Sequence, residues 1–498
     1  MSRIVLAAIL MIATSSCVQF GNTNRIPTAD RANIEKSPTT VDFDYMDLNT
    51  DPSVDFFQFA NGTWLKNNPV PPSETRWSSF NELNENNNKI LKELLEKASS
   101  GDHEKGSVEQ LIGDFYFSYL DRDRRNELGT KPLEEFLEPL LKEPATSEKL
   151  PELIAYLHLN GIGAGFSFGA EQDLKINTKH AAYLGQGGLG LPNRDYYFDE
   201  TEDRENVRKK YVEFIGKGMT TIHAMVQGDE KMPSSIFNME HSLASAAMTP
   251  VEMRNIAAQY NKMTLSELQE MAPSFNWTVY FEEIGIETPD TIIVSQVDFI
   301  KNFERMIQER SKEEWSDYLI WCAVRGSASA LNDEMDDLAF DFYRKTLRGS
   351  KEKQPDWKRA ISSINGSILD EALGKAFVNV AFSETSRAKV DQMVDHLMET
   401  YEERIKDLGW MSKETKAMAL TKLESFRRKL GYPDKWTDYS KLTIGRDNYF
   451  ENVLACDAFA FRKNLDRLKE PIDKDRWAMP AHIVNAYYNP LQNEIVFP

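Results

Sequence analysis

Cysteine is scarce in this sequence, which has only Cys17, Cys322 and Cys456 among its 498 residues. Three cysteines cannot form the dense disulfide framework that holds small secreted domains together. Cys322 and Cys456 both lie in partly apolar, helical-looking surroundings. We therefore expect two buried thiols rather than a bridge between them, and a core that is stabilised by packing alone.

Positively charged residues are also in the minority. The chain has 59 Lys and Arg residues and 78 Asp and Glu residues, which gives a net charge of −19. A protein that follows a phosphate backbone needs a concentrated positive surface, so this balance argues against nucleic acid as a partner. Hydrophobic residues make up 41% of the chain and charged residues 28%, which is ordinary for a soluble globular protein. The length favours two or more domains.

The apolar stretch at the amino terminus, Ile4 to Ile12, is too short to cross a bilayer as a stable helix. With Arg3 before it and small residues after it, the stretch is typical of a signal peptide. Small residues directly before Cys17 resemble a bacterial lipoprotein cleavage site, so we expect a signal peptide over residues 1–17 and a lipidated Cys17. Simple secretion is the alternative. The polar residues 18–42 would then form a flexible tether, and the protein would be a cell-envelope lipoprotein that faces the periplasm or the outer surface.

Helical periodicity dominates the remaining chain. Apolar residues recur at spacings of three and four over 86–99, 206–226, 388–410 and 412–430. Ser412 is a predicted N-cap, and Gly431 with Pro433 is expected to end the last of these helices. Strand patterns are sparse: 155–173 and 180–188 could pair, and 484–490 with 493–498 read as a hairpin around Asn489-Pro490. The predicted fold class is mainly α with minor β.

Several motifs that would indicate catalysis are incomplete. GQGGLG, Gly185 to Gly190, satisfies G-x-G-x-x-G, but Pro192 and Asn193 follow it where a helix would be needed to face a pyrophosphate. We expect a tight, closely packed loop there. No G-x-S-x-G occurs, and no cysteine has a neighbouring histidine, so a nucleophilic hydrolase is not supported.

The seven histidines form no metal-binding pattern, since no two of them stand four residues apart. The zincin-like start at His103 fails because position 107 is Ser. The inverse motif at Glu240-His241 fails because Phe237 occupies the position of the first histidine. We therefore expect these histidines to be surface residues or hydrogen-bonded core residues.

Five longer strings carry a family resemblance. They begin with DPSVDFFQFANGTW, GLGLPNRDYY, FDFYRKTLRGS, WMSKETKAMAL and VNAYYNPLQNEIVFP, and occupy residues 51–83, 188–197, 340–360, 410–442 and 484–498. Each resembles a signature of the neprilysin-like zinc metallopeptidases, family M13, and all lie in family order. Together they span residues 42–498, and on them the chain is identified as a member of that family.

The resemblance implies a multi-helix lid lobe and part of a zincin-type catalytic lobe around a central cavity. Residues 43–435 would be the mostly helical N-terminal domain, 436–483 the connection, and 484–498 the start of the catalytic domain. The implied activity is that of a zinc-dependent metalloendopeptidase or oligopeptidase, which hydrolyses short peptides inside a closed cavity. Closure would exclude water and folded proteins.

In family members, H-E-x-x-H on a helix and a later glutamate follow the IVFP string. The two histidines and the later glutamate hold Zn²⁺, and the glutamate within the motif activates its water. No such motif lies in these 498 residues. We therefore expect an N-terminal portion, truncated before the zinc site, with no catalytic or metal-binding residue of its own and no activity alone. The alternative is a non-catalytic peptide- or protein-binding lipoprotein derived from the same family. The DNA after codon 498 would distinguish the two.

Three residues are candidate substrate contacts by resemblance. Asn485 and Ala486 match the positions at which the family hydrogen-bonds the backbone of the bound peptide, by addition of a strand to a sheet edge. The alternative is a purely structural hairpin. Arg76 matches an arginine that borders the pocket beyond the scissile bond, or it forms a surface ion pair; a second family arginine is Asn84 here. Without a sheet neighbour and the zinc helix, we expect the edge strand to be poorly held.

Overall fold

The computed structural model describes residues 43–222, 230–382 and 384–498, which fall into two compact units divided between Pro69 and Val70. Helices predominate over these residues and strands are few, which confirms the predicted mainly α class. In this part of the chain no helix is long and apolar enough to cross a membrane. The predicted signal peptide, Cys17, the 18–42 tether and His223 lie outside the described residues, and the predicted domain limits remain predictions.

The first unit contains a 3₁₀ turn, Phe43–Tyr45, and helix α1, Phe56–Asn67. Asp55 caps α1, because its carboxylate accepts a hydrogen bond from the backbone N–H of Gln58. The hydroxyl of Thr63 donates to the carbonyl of Met46 at 2.8 Å, which ties the helix to the turn before it.

The second unit contains the remaining helices. In chain order these are α2 (Ser79–Ser100), α3 (Val108–Leu120), α4 (Arg122–Leu128), α5 (Lys131–Lys142), α6 (Leu150–Leu159), α7 (Asp195–Phe198), α8 (Glu202–Thr221), α9 (Met232–Ser245), α10 (Leu265–Met271), α11 (Trp277–Glu283), α12 (Val297–Glu309), α13 (Lys312–Ser327), α14 (Asp333–Ala339), α15 (Asp356–Asn365), α16 (Asp370–Ala381), α17 (Glu384–Asp407), α18 (Lys413–Glu424) and α19 (Tyr449–Asp466). A π-helix, Phe340–Thr346, continues α14. The predicted helix at 86–99 is confirmed by α2. The predicted helix at 388–410 is confirmed by α17 as far as Asp407, where α17 ends three residues earlier than predicted.

Sheet A has four strands, with the spatial order β1-β2-β4-β3. These strands are β1 (Phe166–Gln172), β2 (His180–Gln186), β3 (Asn261–Thr264) and β4 (Thr291–Val294). β1 and β2 pair antiparallel, as predicted, from Phe166 opposite Gln186 to Gln172 opposite His180. The prediction was wrong for residues 155–159, which end α6 instead of extending the strand. That segment is apolar along nearly its whole length, a pattern that fits a buried helix as well as a strand.

An aromatic cluster packs under sheet A around Phe166, whose side chain is fully buried. The rings of Phe275, Trp277, Tyr280 and Phe303 all lie between 5.1 and 5.6 Å from the Phe166 ring, centroid to centroid. Burying one such ring stabilises the fold by about 1.5–3 kcal/mol, and edge-to-face contacts add to this. The core is thus held by packing, as the scarcity of cysteine predicts.

Cys322 and Cys456 are both free and buried, which confirms the predicted pair of buried thiols. Burial raises the pKa of Cys322 to about 11 and that of Cys456 to about 12. Both side chains therefore act as small apolar groups in the core.

The glycine-rich loop at Gly185–Gly190 is closely packed, as predicted. Gly188 has φ +72, and a Cβ there would meet the Tyr318 hydroxyl at 2.2 Å. No helix follows directly, since the short α7 begins at Asp195. The loop contacts a fully buried carboxylate, Glu240, which accepts hydrogen bonds from the N–H of Gly190 and from two tyrosine hydroxyls. The role of the glycine-rich loop is therefore structural.

Sheet B has three strands in the order β5-β7-β6, namely β5 (Arg427–Leu430), β6 (Tyr487–Asn489) and β7 (Glu494–Phe497). β6 and β7 form the predicted hairpin.

The prediction of one helix over 412–430 was wrong: Ser412 caps α18 as predicted, but α18 ends at Glu424. The following residues form β5, which pairs in parallel with β7. The reason is tertiary, because the backbone partners of β5 lie more than sixty residues away.

Gly431 therefore follows a strand rather than ending a helix, which corrects the predicted C-cap. Its φ is +83, in the left-handed region that favours glycine, and its N–H donates to the carbonyl of Phe497 at 2.7 Å. Gly431 thus ends β5 and extends the parallel pairing by one hydrogen bond.

Candidate functional site

A cavity of about 930 Å³ is lined by residues of both sheets and of the C-terminal part of α19. Sheet A contributes residues of β1 and β2, and sheet B contributes Tyr487, Asn489 and Glu494. Further parts of the wall come from 433–437, 463–478 and the turn of the β6–β7 hairpin. The remaining lining residues are Leu174, Ile256, Gln259, Ser295 and Glu371. Its volume is at the upper end of the 300–1,000 Å³ that is usual for ligand pockets. This cavity is the candidate site.

β6 forms one side of the cavity and is an edge strand, because among the described residues it pairs only with β7. Its other edge therefore has free main-chain groups, which an extended peptide can pair with. Asn485 and Ala486 are exposed and come directly before this strand. The Asn485 Oδ1 atom accepts a hydrogen bond from the N–H of Ala486 at 2.8 Å. The two predicted contact residues thus lie together, next to an open strand edge.

The turn of the hairpin is anchored by Asn493. This residue has φ 48, a left-handed conformation that asparagine tolerates better than most residues. Its side-chain amide donates to the carbonyl of Lys422 at 2.9 Å and to the hydroxyl of Ser425 at 3.0 Å. Its own carbonyl accepts from the N–H of Arg427 at 2.9 Å. One residue therefore connects the hairpin, the end of α18 and the start of β5.

A buried ion pair connects β5 to β7. Lys429 Nζ lies 2.8 Å from Glu494 Oε2, and the two side chains are only 8% and 2% exposed. Lys429 Nζ also donates to the carbonyl of Arg476 at 2.7 Å. The sequence pattern did not indicate a sheet neighbour for the hairpin, and the structure has one: β7 pairs with β5 on one side and with the edge strand β6 on the other. That the edge strand is poorly held stays a prediction.

Asn464 on α19 fastens the opposite wall of the cavity. Its side chain accepts from the N–H of Ala170 at 2.8 Å and donates to the carbonyl of the same residue at 3.1 Å. The amide thus satisfies both main-chain groups of an edge position in β1. Nothing in the local sequence singles out Asn464, because its partner is almost three hundred residues away.

The two walls meet through side chains at the end of β1. Gln492 in the hairpin turn donates to the Gln172 Oε1 atom at 3.1 Å. On the same side, the His180 Nδ1 atom lies 3.1 Å from the carbonyl of Glu470. The Tyr487 hydroxyl accepts from the N–H of Ala478 at 2.9 Å, which joins β6 to the segment before it.

Arg76, the third predicted contact, is exposed and lies in the segment before α2. It is not among the residues that line the cavity. It also forms no salt bridge within the described part of the chain, so the alternative of a surface ion pair gains no support. Its role stays a prediction.

The described residues do not fit a catalytic zinc ion, since no three His, Cys, Asp or Glu side chains among them come together as a ligand set.

His158 is a core residue, with its ring nitrogens 2.8 Å from the Tyr280 hydroxyl and 3.0 Å from the Ala164 carbonyl. His482 is also buried, with Nε2 2.7 Å from Asn365 Oδ1. Burial lowers the pKa of each of these histidines to about 4. For both, the expectation of a core role is confirmed.

Comparison with known sequences identifies a family and several relatives that this chain resembles. A profile of peptidase family M13 matches residues 52–433. Neprilysin-3 of Drosophila melanogaster is 30% identical over 480 residues, covering 91% of this chain and 61% of the relative. Human endothelin-converting enzyme 1 is 30% identical over 519 residues, covering 99% and 66% respectively. The chain thus spans less than two thirds of the length of these two relatives.

Solved structures are also similar to this chain. The crystal structure of Mycobacterium tuberculosis zinc metalloprotease Zmp1 in complex with an inhibitor has a TM-score of 0.86 and 31% identity, covering 92% of this chain and 69% of that one. PepO from Lactobacillus rhamnosis has a TM-score of 0.80 at 20% identity, covering 90% and 71%, a likeness that concerns the fold alone.

Proposed function

The chain belongs to peptidase family M13, a family of zinc metalloendopeptidases, and on this premise we propose that it supplies part of the peptide-binding cavity of such an enzyme. The observation that carries the proposal is the free edge of β6 beside a cavity of about 930 Å³, with Asn485 and Ala486 exposed directly before the strand. The substrates would be short peptides, because a cavity of this size admits an extended segment and excludes a folded protein.

In the proposed binding mode, an extended peptide adds to the free edge of β6. Main-chain hydrogen bonds would supply affinity whatever the peptide sequence. The Asn485 amide can both donate and accept, which suits it to hold one peptide unit. Its Oδ1 atom accepts one hydrogen bond from the N–H of Ala486 and has room for a second, while its Nδ2 atom can donate to a peptide carbonyl.

Hydrolysis requires groups that the described residues do not bring together, so no catalytic step is assigned to them. We propose that Zn²⁺ serves the complete family enzyme, and that this chain alone neither holds a catalytic zinc nor cuts peptides. Support comes from the lack of a three-residue ligand set in the described residues. A non-catalytic peptide- or protein-binding lipoprotein remains the alternative, and for peptides it shares the same binding mode.

The test measures binding and cleavage separately with the purified chain. We expect fluorescently labelled ten-residue peptides to bind by anisotropy. We also expect metal analysis to find no stoichiometric zinc, and quenched peptides to stay uncut. Asn485→Ala should weaken binding roughly tenfold, as expected for one lost hydrogen bond of about 1.4 kcal/mol. Asn206→Ala, at an exposed position on α8, is the matched control. Absence of peptide binding, or chelator-sensitive cleavage, would contradict the proposal.

For localisation, we propose that the mature protein is tethered to the cell envelope by lipid on Cys17. Support comes from the sequence pattern alone: an apolar stretch, small residues before the cysteine and a polar stretch after it. Incorporation of an alkyne-labelled fatty acid into the wild type but not into Cys17→Ala is the expected result. Equal labelling of both proteins would refute it.

A further inference from the structure

Three cationic side chains line one region of the cavity, and we call them the cationic wall: Lys463, Arg467 and Arg476. Lys463 lies in the last turn of α19, and Arg467 follows it by four residues. Residues four apart in a helical segment lie on one face, so both side chains can reach the same region. Arg476 comes from the loop that leads towards β6.

Among the residues that the structure describes, no carboxylate neutralises the cationic wall directly. In the described part of the chain, none of its three side chains lies within 4 Å of an Asp or Glu oxygen. Lys463 Nζ donates to the hydroxyl of Thr437 at 2.5 Å, and that hydroxyl donates to Glu371 Oε2 at 2.6 Å. The Glu371 carboxylate is therefore already occupied by Thr437, because it also accepts a hydrogen bond from the N–H of that residue.

Other acidic residues that line the cavity act from further away or are engaged elsewhere. Asp466 and Asp473 also line it, but within the described residues neither forms a salt bridge with the cationic wall, and Asp473 accepts a hydrogen bond from the N–H of Asp475 at 2.8 Å. Asp475 pairs with Arg427 at 2.7 Å, and Glu494 pairs with Lys429. Glu171 and Glu470 act on Arg467 only through their charges, and with less effect on its pKa than burial and Arg476 have. The cationic wall thus keeps unused donors towards the cavity.

The like charges are close enough to disturb one another. Burial, and next the charge of Arg476, lower the pKa of Arg467 to about 10. Burial also lowers the pKa of Lys463; the charge of Glu371 opposes this, while Arg467 and Arg476 reinforce it. An anion that enters the cavity would relieve this repulsion and would accept charge-assisted hydrogen bonds.

The cationic wall lies beside the proposed peptide-binding edge. Arg476 is two residues before Ala478, whose N–H donates to the Tyr487 hydroxyl on β6 at 2.9 Å. The charge of Arg476 also acts on the phenol of Tyr487. A peptide paired with β6 would therefore extend past these cations.

We propose that the cationic wall is a subsite for a carboxylate of the bound peptide, either an Asp or Glu side chain or the free carboxyl terminus. This inference rests on the proposed function, namely that the cavity holds peptides. Carboxylates are the anionic groups that an unmodified peptide offers, and a guanidinium can hold one through two parallel hydrogen bonds. The subsite would give sequence preference to an edge that otherwise binds backbone alone.

The experiment compares three ten-residue peptides that carry the same dye. The first has an internal Gln and an amidated end, the second has Glu in place of that Gln, and the third keeps Gln but has a free carboxyl terminus. Anisotropy titrations with the full chain at low salt should show at least tenfold tighter binding of one or both carboxylate peptides. Which of the two gains identifies the source of the carboxylate.

Arg467→Gln should reduce that preference to less than threefold while the neutral peptide keeps its affinity. Arg476→Gln, at an exposed position, provides a second variant that does not depend on the packing of α19. Lys474→Gln is the matched control: it removes the same charge from the same loop, but Lys474 does not line the cavity. It should leave the preference intact.

Two outcomes would overturn the subsite and leave peptide binding standing: equal binding of all three peptides by the wild type, or an equal loss of preference in Lys474→Gln and Arg467→Gln. If none of the peptides binds, the proposed function fails, and this inference fails with it.

Discussion

Replacing Glu494 by Leu should destabilise sheet B strongly, because it would leave the Lys429 ammonium buried without its counter-charge. The carboxylate lies 2.8 Å from Lys429 Nζ, and the lysine side chain is only 8% exposed. The carbonyl of Arg476 would remain as a partner, but it carries no full charge. Breaking a buried ion pair by removing one member costs about 3–5 kcal/mol, so we expect a loss of about 3 kcal/mol.

The double variant Lys429→Met with Glu494→Leu separates the charge effect from packing. Apolar side chains of similar volume often replace a buried ion pair at little cost, so its unfolding free energy should lie within about 1 kcal/mol of wild type. As a control for the chemistry of the substitution, Glu138→Leu removes one member of the exposed Lys142–Glu138 pair and should cause no measurable change.

The assay is urea unfolding together with hydrogen exchange of the main-chain amides of β5 and β7. A loss of about 3 kcal/mol corresponds to roughly hundredfold faster exchange in these strands if the sheet opens locally. The reasoning would be refuted if Glu494→Leu changed stability by less than about 1 kcal/mol with unchanged exchange. It would also be refuted if the double variant were as unstable as the single one.

Three further outcomes are expected. Asn464→Ala should cost about 1–2 kcal/mol in urea unfolding, because it removes both hydrogen bonds to Ala170; no change would show that solvent replaces them. Burial lowers the pKa of His158 to about 4, so its contribution to stability is full above about pH 6.5 and is lost as the pH falls towards 4. His158→Gln should therefore flatten the pH dependence of unfolding between pH 6.5 and 4.5 by up to about 1.4 kcal/mol per pH unit, and an unchanged slope would contradict the shift. Finally, peptide mapping by mass spectrometry should find Cys322 and Cys456 unmodified by thiol reagents at pH 8 and modified after unfolding; labelling of the native protein would show that the core opens.

Local patterns predicted much of the fold correctly. The hairpin at the end of the chain followed from two short apolar segments around Asn489-Pro490, and the packed loop at Gly185–Gly190 from the turn residues after it. Ser412 was predicted as an N-cap and is one. These features depend on residues within a few positions of one another, so the sequence window that reveals them is short.

The candidate site was predicted only in part. Asn485 and Ala486 were found by family resemblance, and they lie beside the open edge of β6. Asn464 and the cationic wall were missed. Lysines, arginines and asparagines are common on helix surfaces, and only the packing of distant segments makes these particular ones line a cavity.

By itself the sequence determined the helical class, the family, the two buried thiols and the residues next to the edge strand, because each of these depends on local pattern or on strings that match relatives. Tertiary structure decided that Arg427–Leu430 is a strand, although the periodicity of 412–430 is helical. There, main-chain hydrogen bonds to β7 and the Lys429–Glu494 ion pair override local preference, and these partners are brought together only when the chain has folded.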